Sequence, residues 1–294
     1  MSETQEISVG FIGLGNMGAP MAQRLVDWPG GLMVCDMRPD ALQPFTDAGA
    51  TAAATAAEVG RHCAVISVVV LDDDQVRSVV TGPDGLLQTA KPGTVIAVHS
   101  TISDRTAVEL GAECAAHGVE FVDAPISGGA PAAQRGALAV MVGGSAAAFE
   151  LVREPFGRFG SLVIHAGEVG TGTRMKLARN LLHFVAFTAA SEAQRLAEAG
   201  GLDIASLGKV VRHSDSQTGG PGAIMLRRTT APVAADDFWF PILGHVRDLG
   251  EKDLALALDL AGRLDVELPL ARRALHDLGD GLGVGPGTIA KEQA

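Results

Sequence analysis

The stretch Phe11-Ile12-Gly13-Leu14-Gly15-Asn16-Met17-Gly18 decides the fold. Residues 7–12 read as a short buried strand, and Ala19 to Val26 as the helix that follows. Between them the glycines have separate tasks. Gly13 permits the tight turn, Gly15 lets the backbone approach a ligand, and Gly18 allows the helix to pack closely on the strand. With Leu14, Asn16 and Met17 they form a turn whose N–H groups, at a helix start, suit a dinucleotide pyrophosphate. A second apolar run, 32–36, ends in Asp36, which lies 18 positions after Gly18. That is close to the roughly 20 expected of the carboxylate that binds a ribose diol. Such a carboxylate repels a 2′-phosphate and favours NAD. Arg38, two residues on, is the group that would instead pair with the extra phosphate of NADP.

Outward from that turn, residues 7 to about 165 alternate Val/Ile-rich runs with helical patterns. The strand candidates are 7–12, 32–36, 64–70, 94–98, 119–123, 138–142 and 162–165. Strands separated by helices predict an α/β, doubly wound Rossmann-type sheet covered on both faces. The last two candidates depart from pure alternation and predict a late addition to the sheet. From about 170 the character changes. Thr173 through Ala199 contains no proline or glycine and predicts a long interdomain helix, stopped by Gly200-Gly201. Helical patterns follow at 203–212, 221–230, 242–263 and 269–279, and the tail from Gly279 reads as loose. The expected division is a dinucleotide-binding domain over 1–166 and an all-α substrate and dimerisation domain over 167–294.

A formal net charge of −11 argues against nucleic acid or an anionic membrane as partner. No uninterrupted apolar run reaches the roughly 18 residues of a membrane span, and Met1–Glu6 lacks the features of a secretory signal. Cys35, Cys63 and Cys114 have no metal-ligand spacing and read as buried thiols of a reducing cytoplasm. No metal site is expected.

Three further clusters carry chemistry. In Gly170-Thr171-Gly172-Thr173-Arg174-Met175-Lys176-Leu177-Ala178-Arg179-Asn180, Lys176 and Asn180 are four apart and share a helix face. A partly desolvated lysine there can exchange a proton with a substrate hydroxyl while hydride moves to or from a nicotinamide. In Asp123-Ala124-Pro125-Ile126-Ser127-Gly128-Gly129, at the carboxyl end of a strand, Ser127 and the backbone of Gly128 and Gly129 suit a carboxylate. The last is Lys252-Asp253, within a helical pattern.

In this order and spacing, the four clusters resemble the β-hydroxyacid dehydrogenase family over about residues 7 to 280. Its members act on 3-hydroxyisobutyrate, tartronate semialdehyde and, more distantly, 6-phosphogluconate. The resemblance implies an oxidoreductase of a small hydroxy acid with Lys176 as general acid/base. It places Ser127, Gly128, Gly129 and Asn180 on the substrate and Lys252 over the cofactor. Thr101 falls near the nicotinamide ribose, and Val69, Val70 and Asp74 on the adenosine side. The family commonly has proline at Val70, a second asparagine at Arg179 and an aromatic residue at His245. His245 lies seven residues before Lys252, on the same face of an unbroken helix, and so becomes a candidate substrate contact. The family also implies a homodimer or homotetramer, as does the apolar surface of the long helix. Two alternatives share the architecture: an NADP-dependent imine reductase and a non-catalytic dinucleotide-binding scaffold. Both generally lack the lysine that this chain has at 176.

Overall fold

The computed structural model describes residues 7–292. They form two compact units that divide between Arg179 and Asn180. In the first unit, strands and helices alternate. The chain runs through β1 (Val9–Ile12), α1 (Gly18–Gln23), β2 (Leu32–Cys35), α2 (Pro39–Asp47) and β3 (Thr51–Ala52). It continues through α3 (Ala56–His62), β4 (Val65–Val68), α4 (Asp73–Thr81), β5 (Val95–Val98) and α5 (Asp104–Ala116). The late part comprises β6 (Glu120–Asp123), β7 (Ile126–Ser127), α6 (Gly129–Gln134), β8 (Leu138–Gly143), α7 (Ala146–Phe159) and β9 (Gly160–Gly167).

The strands lie in one sheet in the order β3-β2-β1-β4-β5-β6-β8-β7, with β9 beside β8. From β3 to β6 every pairing is parallel. Apart from the exposed two-residue edge strand β3, the Val and Ile residues of these strands are buried on both faces, as helix-covered parallel strands require. In β5, Val95 and Ala97 join one core cluster, whereas Ile96 and Val98 join the other. The order reverses between β1 and β4, the topological switch point at which open α/β sheets bind ligands. The expected late addition is β8, which runs antiparallel to β6 and β7 and parallel to β9. The two-residue strands β3 and β7 were not expected from the sequence.

The long helix α8 spans Thr171–Ala199, and its 29 residues extend about 44 Å. It stops where Gly201 turns left-handed (φ 74°) and the N–H of Leu202 returns to the carbonyl of Ala197, the usual glycine-terminated helix end. In the second unit, α9 (Ile204–Thr218), α10 (Trp239–Arg263), α11 (Pro269–Gly281) and α12 (Thr288–Glu292) follow. Two expectations are corrected there. The helix expected over 221–230 is only a 3₁₀ turn, Gly220–Ile224. Gly219 and Gly220 have positive φ, and Pro221 with Gly222 disfavours a longer helix. As far as residue 292 the tail after Gly279 is not loose: Glu251, 1 % exposed, accepts the N–H groups of Gly287 (2.7 Å) and Ala290 (3.2 Å) and so fixes the start of α12.

Candidate active site

The glycine turn sits at the sheet's switch point. Gly13 has φ 92°, and a side chain there would collide with the carbonyl of Val69. One at Gly18 would collide with the carbonyl of Gly13. Around Gly15, by contrast, a Cβ would meet nothing within 4 Å. The turn is thus closed against the sheet on two sides and open at Gly15 and Asn16, both exposed. This is the shape that a pyrophosphate needs. Leu14 is buried, and Met17 and Gly18 lead into α1.

Asp36 ties this turn to the end of β2. Its Oδ2 accepts the Leu14 N–H at 2.6 Å, and its Oδ1 accepts the backbone N–H of Arg38 at 2.9 Å. The Arg38 guanidinium folds back onto Asp36 Oδ1 (3.1 Å) and the carbonyl of Leu14 (3.1 Å). Burial raises the pKa of the Asp36 carboxyl, but the bonds from Arg38 and Leu14 outweigh it and leave that pKa below the ordinary value. Across the switch point, Ser100 holds Val70 from both sides. Its Oγ accepts the Val70 N–H (3.1 Å) and donates to the Val70 carbonyl (2.6 Å). Val69 is bonded through its N–H to Ile12. Thr101 and Asp74 are exposed, Asp74 in the first turn of α4.

The segment that follows β6 is pinned residue by residue. Asp123, fully buried, accepts the N–H of Gly170 on Oδ1 (2.7 Å) and of Thr173 on Oδ2 (2.6 Å). The carbonyl of Ala124 accepts from His99 Nδ1 (2.7 Å), and that of Pro125 from the N–H of Met141 (3.0 Å). The carbonyl of Ile126 accepts from Lys176 Nζ at 2.6 Å. Ser127 then ends β7, and Gly128 (φ 138°), ahead of α6, and Gly129 (φ 74°), its first residue, are both exposed.

Lys176 therefore lies against the Ser127 segment, within the first unit, and is 8 % exposed. Burial, and then the charge of Arg179, hold its pKa below the ordinary lysine value. A proton on this amine is easier to lose than one on a solvated lysine. Asn180 follows Lys176 by one turn of α8 and opens the second unit. His245 and Lys252 both lie on α10, which is continuous between them, and both are exposed. Lys252 Nζ pairs with Asp253 Oδ1 at 3.0 Å.

Two polar residues here escape a reading of the sequence. His99 is 2 % exposed and packs edge-on against Phe156 and Phe159. Because Nδ1 donates to a carbonyl, Nε2 of the neutral ring accepts from the Ser67 hydroxyl (3.1 Å). Its only sequence signal is a polar residue directly after the apolar run 95–98. Ser100 likewise gives no sign of its two hydrogen bonds to Val70. The three cysteines are free and buried, and burial pushes the thiols of Cys63 and Cys114 up to about 12, far from reactive. Among the described residues, no group of three or more His, Cys, Asp or Glu is arranged to hold a metal. No helix among them is long and apolar enough to cross a membrane.

Known proteins match this arrangement along most of the chain. Residues 8–167 match the model of the NAD-binding domain of 6-phosphogluconate dehydrogenase. Residues 170–278 match the model described as NAD-binding of NADP-dependent 3-hydroxyisobutyrate dehydrogenase. An uncharacterized oxidoreductase of Mycobacterium tuberculosis is 60 % identical over 94 % of this chain and 93 % of its own. The L-threonate dehydrogenase of Cupriavidus necator is 32 % identical over 91 % of this chain and 88 % of its own. A crystal structure of an oxidoreductase from Mycobacterium avium superposes with a TM-score of 0.91 at 54 % identity, covering 96 % of this chain and all of that one. The chain belongs to the β-hydroxyacid dehydrogenase family, as an NAD(P)-dependent hydroxyacid dehydrogenase.

Proposed function

We propose that the enzyme interconverts a short-chain 3-hydroxy acid and its semialdehyde or keto form, with NAD as the preferred dinucleotide and Lys176 as the group that moves the proton. The observation that carries this reading is the seat of Lys176: a nearly buried amine 2.6 Å from the carbonyl of Ile126, the residue that precedes Ser127. A bound dinucleotide supplies the acceptor or donor of the hydride. Lys176 takes the hydroxyl proton as the acid is oxidised and returns it in the reverse direction. The Ser127 hydroxyl and the backbone of Gly128 and Gly129 hold the carboxylate. Gly13, Leu14, Gly15, Asn16, Met17 and Gly18 cradle the pyrophosphate, and Asp36 takes the ribose diol. The NAD preference is supported by Arg38, whose guanidinium is already paired with Asp36 and Leu14. The family resemblance adds Val69, Val70, Asp74, Thr101 and Lys252 to the cofactor, and Asn180 and His245 to the substrate. It also supports a dinucleotide domain over 1–166, a helical domain over 167–294, and assembly into a homodimer or homotetramer.

The test is a panel of 3-hydroxyisobutyrate, serine, glycerate, 3-hydroxypropionate, tartronate semialdehyde and L-threonate, each with the appropriate form of NAD and of NADP. At least one of these acids turns over, and Lys176→Ala lowers that kcat by about 10²–10⁴-fold while NADH binding, followed by fluorescence, is retained. Near wild-type turnover by Lys176→Ala across pH 7–10 would remove Lys176 from the chemistry.

A further inference from the structure

Asp123 has no part in the proposed reaction, yet it is a fully buried carboxylate held on both oxygens by backbone N–H groups. It ends β6 with 0 % exposure, in a place where burying an ionised group is costly without strong partners. Its partners are two N–H groups from the start of α8, those of Gly170 and Thr173. N–H groups in a helix's first turn have no acceptor within the helix, and a side chain one residue ahead of it usually supplies one. Here the acceptor comes instead from a strand 47 and 50 residues earlier in sequence. Burial raises the pKa of the Asp123 carboxyl, and the two N–H bonds oppose that shift.

The surrounding backbone leaves the turn no latitude. A side chain at Gly172 would collide with the carbonyls of Met141 and Asp123. One at Gly143, the residue paired with Asp123 across the sheet, would collide with Asp123 Oδ1 and approach Gly172 N to 2.7 Å. One turn beyond Thr173, Lys176 reaches back to Ile126, three residues beyond Asp123. Segments 123–126 and 170–176 are thus joined at two points: a carboxylate at the helix start and an ammonium one turn later. A helix advances 1.5 Å and turns 100° per residue, so a slipped first turn would swing Lys176 away from Ile126.

We propose that Asp123 is a positioning residue for Lys176, fixing the depth and rotation of the first turn of α8 so that the amine stays beside the Ser127 segment. The inference rests on the reading of Lys176 as the proton-transfer group. Asparagine is nearly the same size but cannot accept both N–H groups, since its own NH₂ would face one of them.

The experiment compares Asp123→Asn, Gly172→Ala and Lys176→Ala with wild type, using the panel acid that turns over best. Both positioning variants lower kcat about 10–100-fold, as a misplacement of about 1 Å does. In both, NADH affinity and KM for the acid stay within about threefold, and the pH at which kcat reaches half its plateau moves upward as Lys176 leaves its buried seat. A merely structural role would lower the unfolding midpoint and leave the pH limb where it was. Should Asp123→Asn fail to bind NADH, Gly172→Ala carries the same readouts with the carboxylate intact. Wild-type kcat and an unmoved pH limb in a variant that binds NADH overturn the proposal. If Lys176→Ala is itself active, the reading of Lys176 falls first; if it is inactive while the other two are unimpaired, only the positioning role falls.

Discussion

At the scale of single residues, Asp36 and His99 each lead to a measurement. Asp36 joins the glycine turn to the end of β2 and engages Arg38, so its removal acts twice. On the proposed role of Asp36 it deletes the acceptor for a ribose diol, and it frees the Arg38 guanidinium for a 2′-phosphate. Asp36→Ala therefore narrows the ratio of kcat/KM for NAD over NADP by about tenfold or more, equivalent to one charge-assisted hydrogen bond of about 1.5–3 kcal/mol. A wild type that prefers NADP would refute the assignment. His99 governs stability rather than cofactor choice. Burial pushes its pKa down to about 4, whereas an unfolded histidine titrates near 6.5. Between those values the unfolded chain binds a proton that the folded chain does not. The stabilisation from keeping His99 neutral is thus fully present above pH 6.5 and is lost as pH falls through 4, by about 3 kcal/mol in total. In urea titrations, His99→Gln loses less stability than wild type between pH 7 and 4; equal pH slopes would show that His99 does not set this dependence.

At the scale of elements, a recurring device is a buried carboxylate that caps a helix remote in sequence. Asp123 does so for α8, Glu251 for α12, and Glu192 for α11 through the N–H groups of Leu270 (2.8 Å) and Ala271 (2.9 Å). Glu251→Gln leaves one of the two α12 N–H groups facing an amide NH₂, which costs about 1–3 kcal/mol locally. Hydrogen–deuterium exchange at Gly287 and Ala290 should accelerate by about 10- to 100-fold accordingly, and unchanged protection would mean that other contacts hold α12. These bonds explain where the sequence was legible. Strands such as Val95–Val98 carry their own β-branched signal, and the glycine turn carries its own spacing, so both could be read locally. The seat of Lys176 could not be read that way, because its partner Ile126 lies 50 residues away. The same holds for the ordered tail, which depends on Glu251, 36 residues before Gly287. At 221–230 the helix-forming residues Ala223 to Arg228 suggested a helix, but Gly219 to Gly222 overrode them locally.

At the scale of the whole molecule, apolar surface is unevenly distributed. Among the described residues of the second unit, seventeen large hydrophobic side chains are exposed, against eight in the longer first unit. Phe184 (58 %), Phe187 (57 %), Val210 (62 %) and Leu256 (60 %) are examples from three helices, α8, α9 and α10. Among the described residues, the hydrophobic cluster confined to this unit has only Val233, Leu243 and Leu282 as buried members. A helical unit that buries so little and exposes so much fits an interaction surface, and the proposed homodimer or homotetramer would cover it. The net charge of −11 per chain opposes association at long range but is screened beyond about 8 Å at physiological salt, so contact burial decides. Light scattering at micromolar concentration should therefore return about two or four times the 30.2 kDa of one chain, and the thermal midpoint should rise with protein concentration. Phe184→Asp together with Phe187→Asp should shift the species toward monomer and lower that midpoint. A wild type that stays near 30 kDa with a concentration-independent midpoint would show that these helices are stable as a monomer despite their exposed apolar faces.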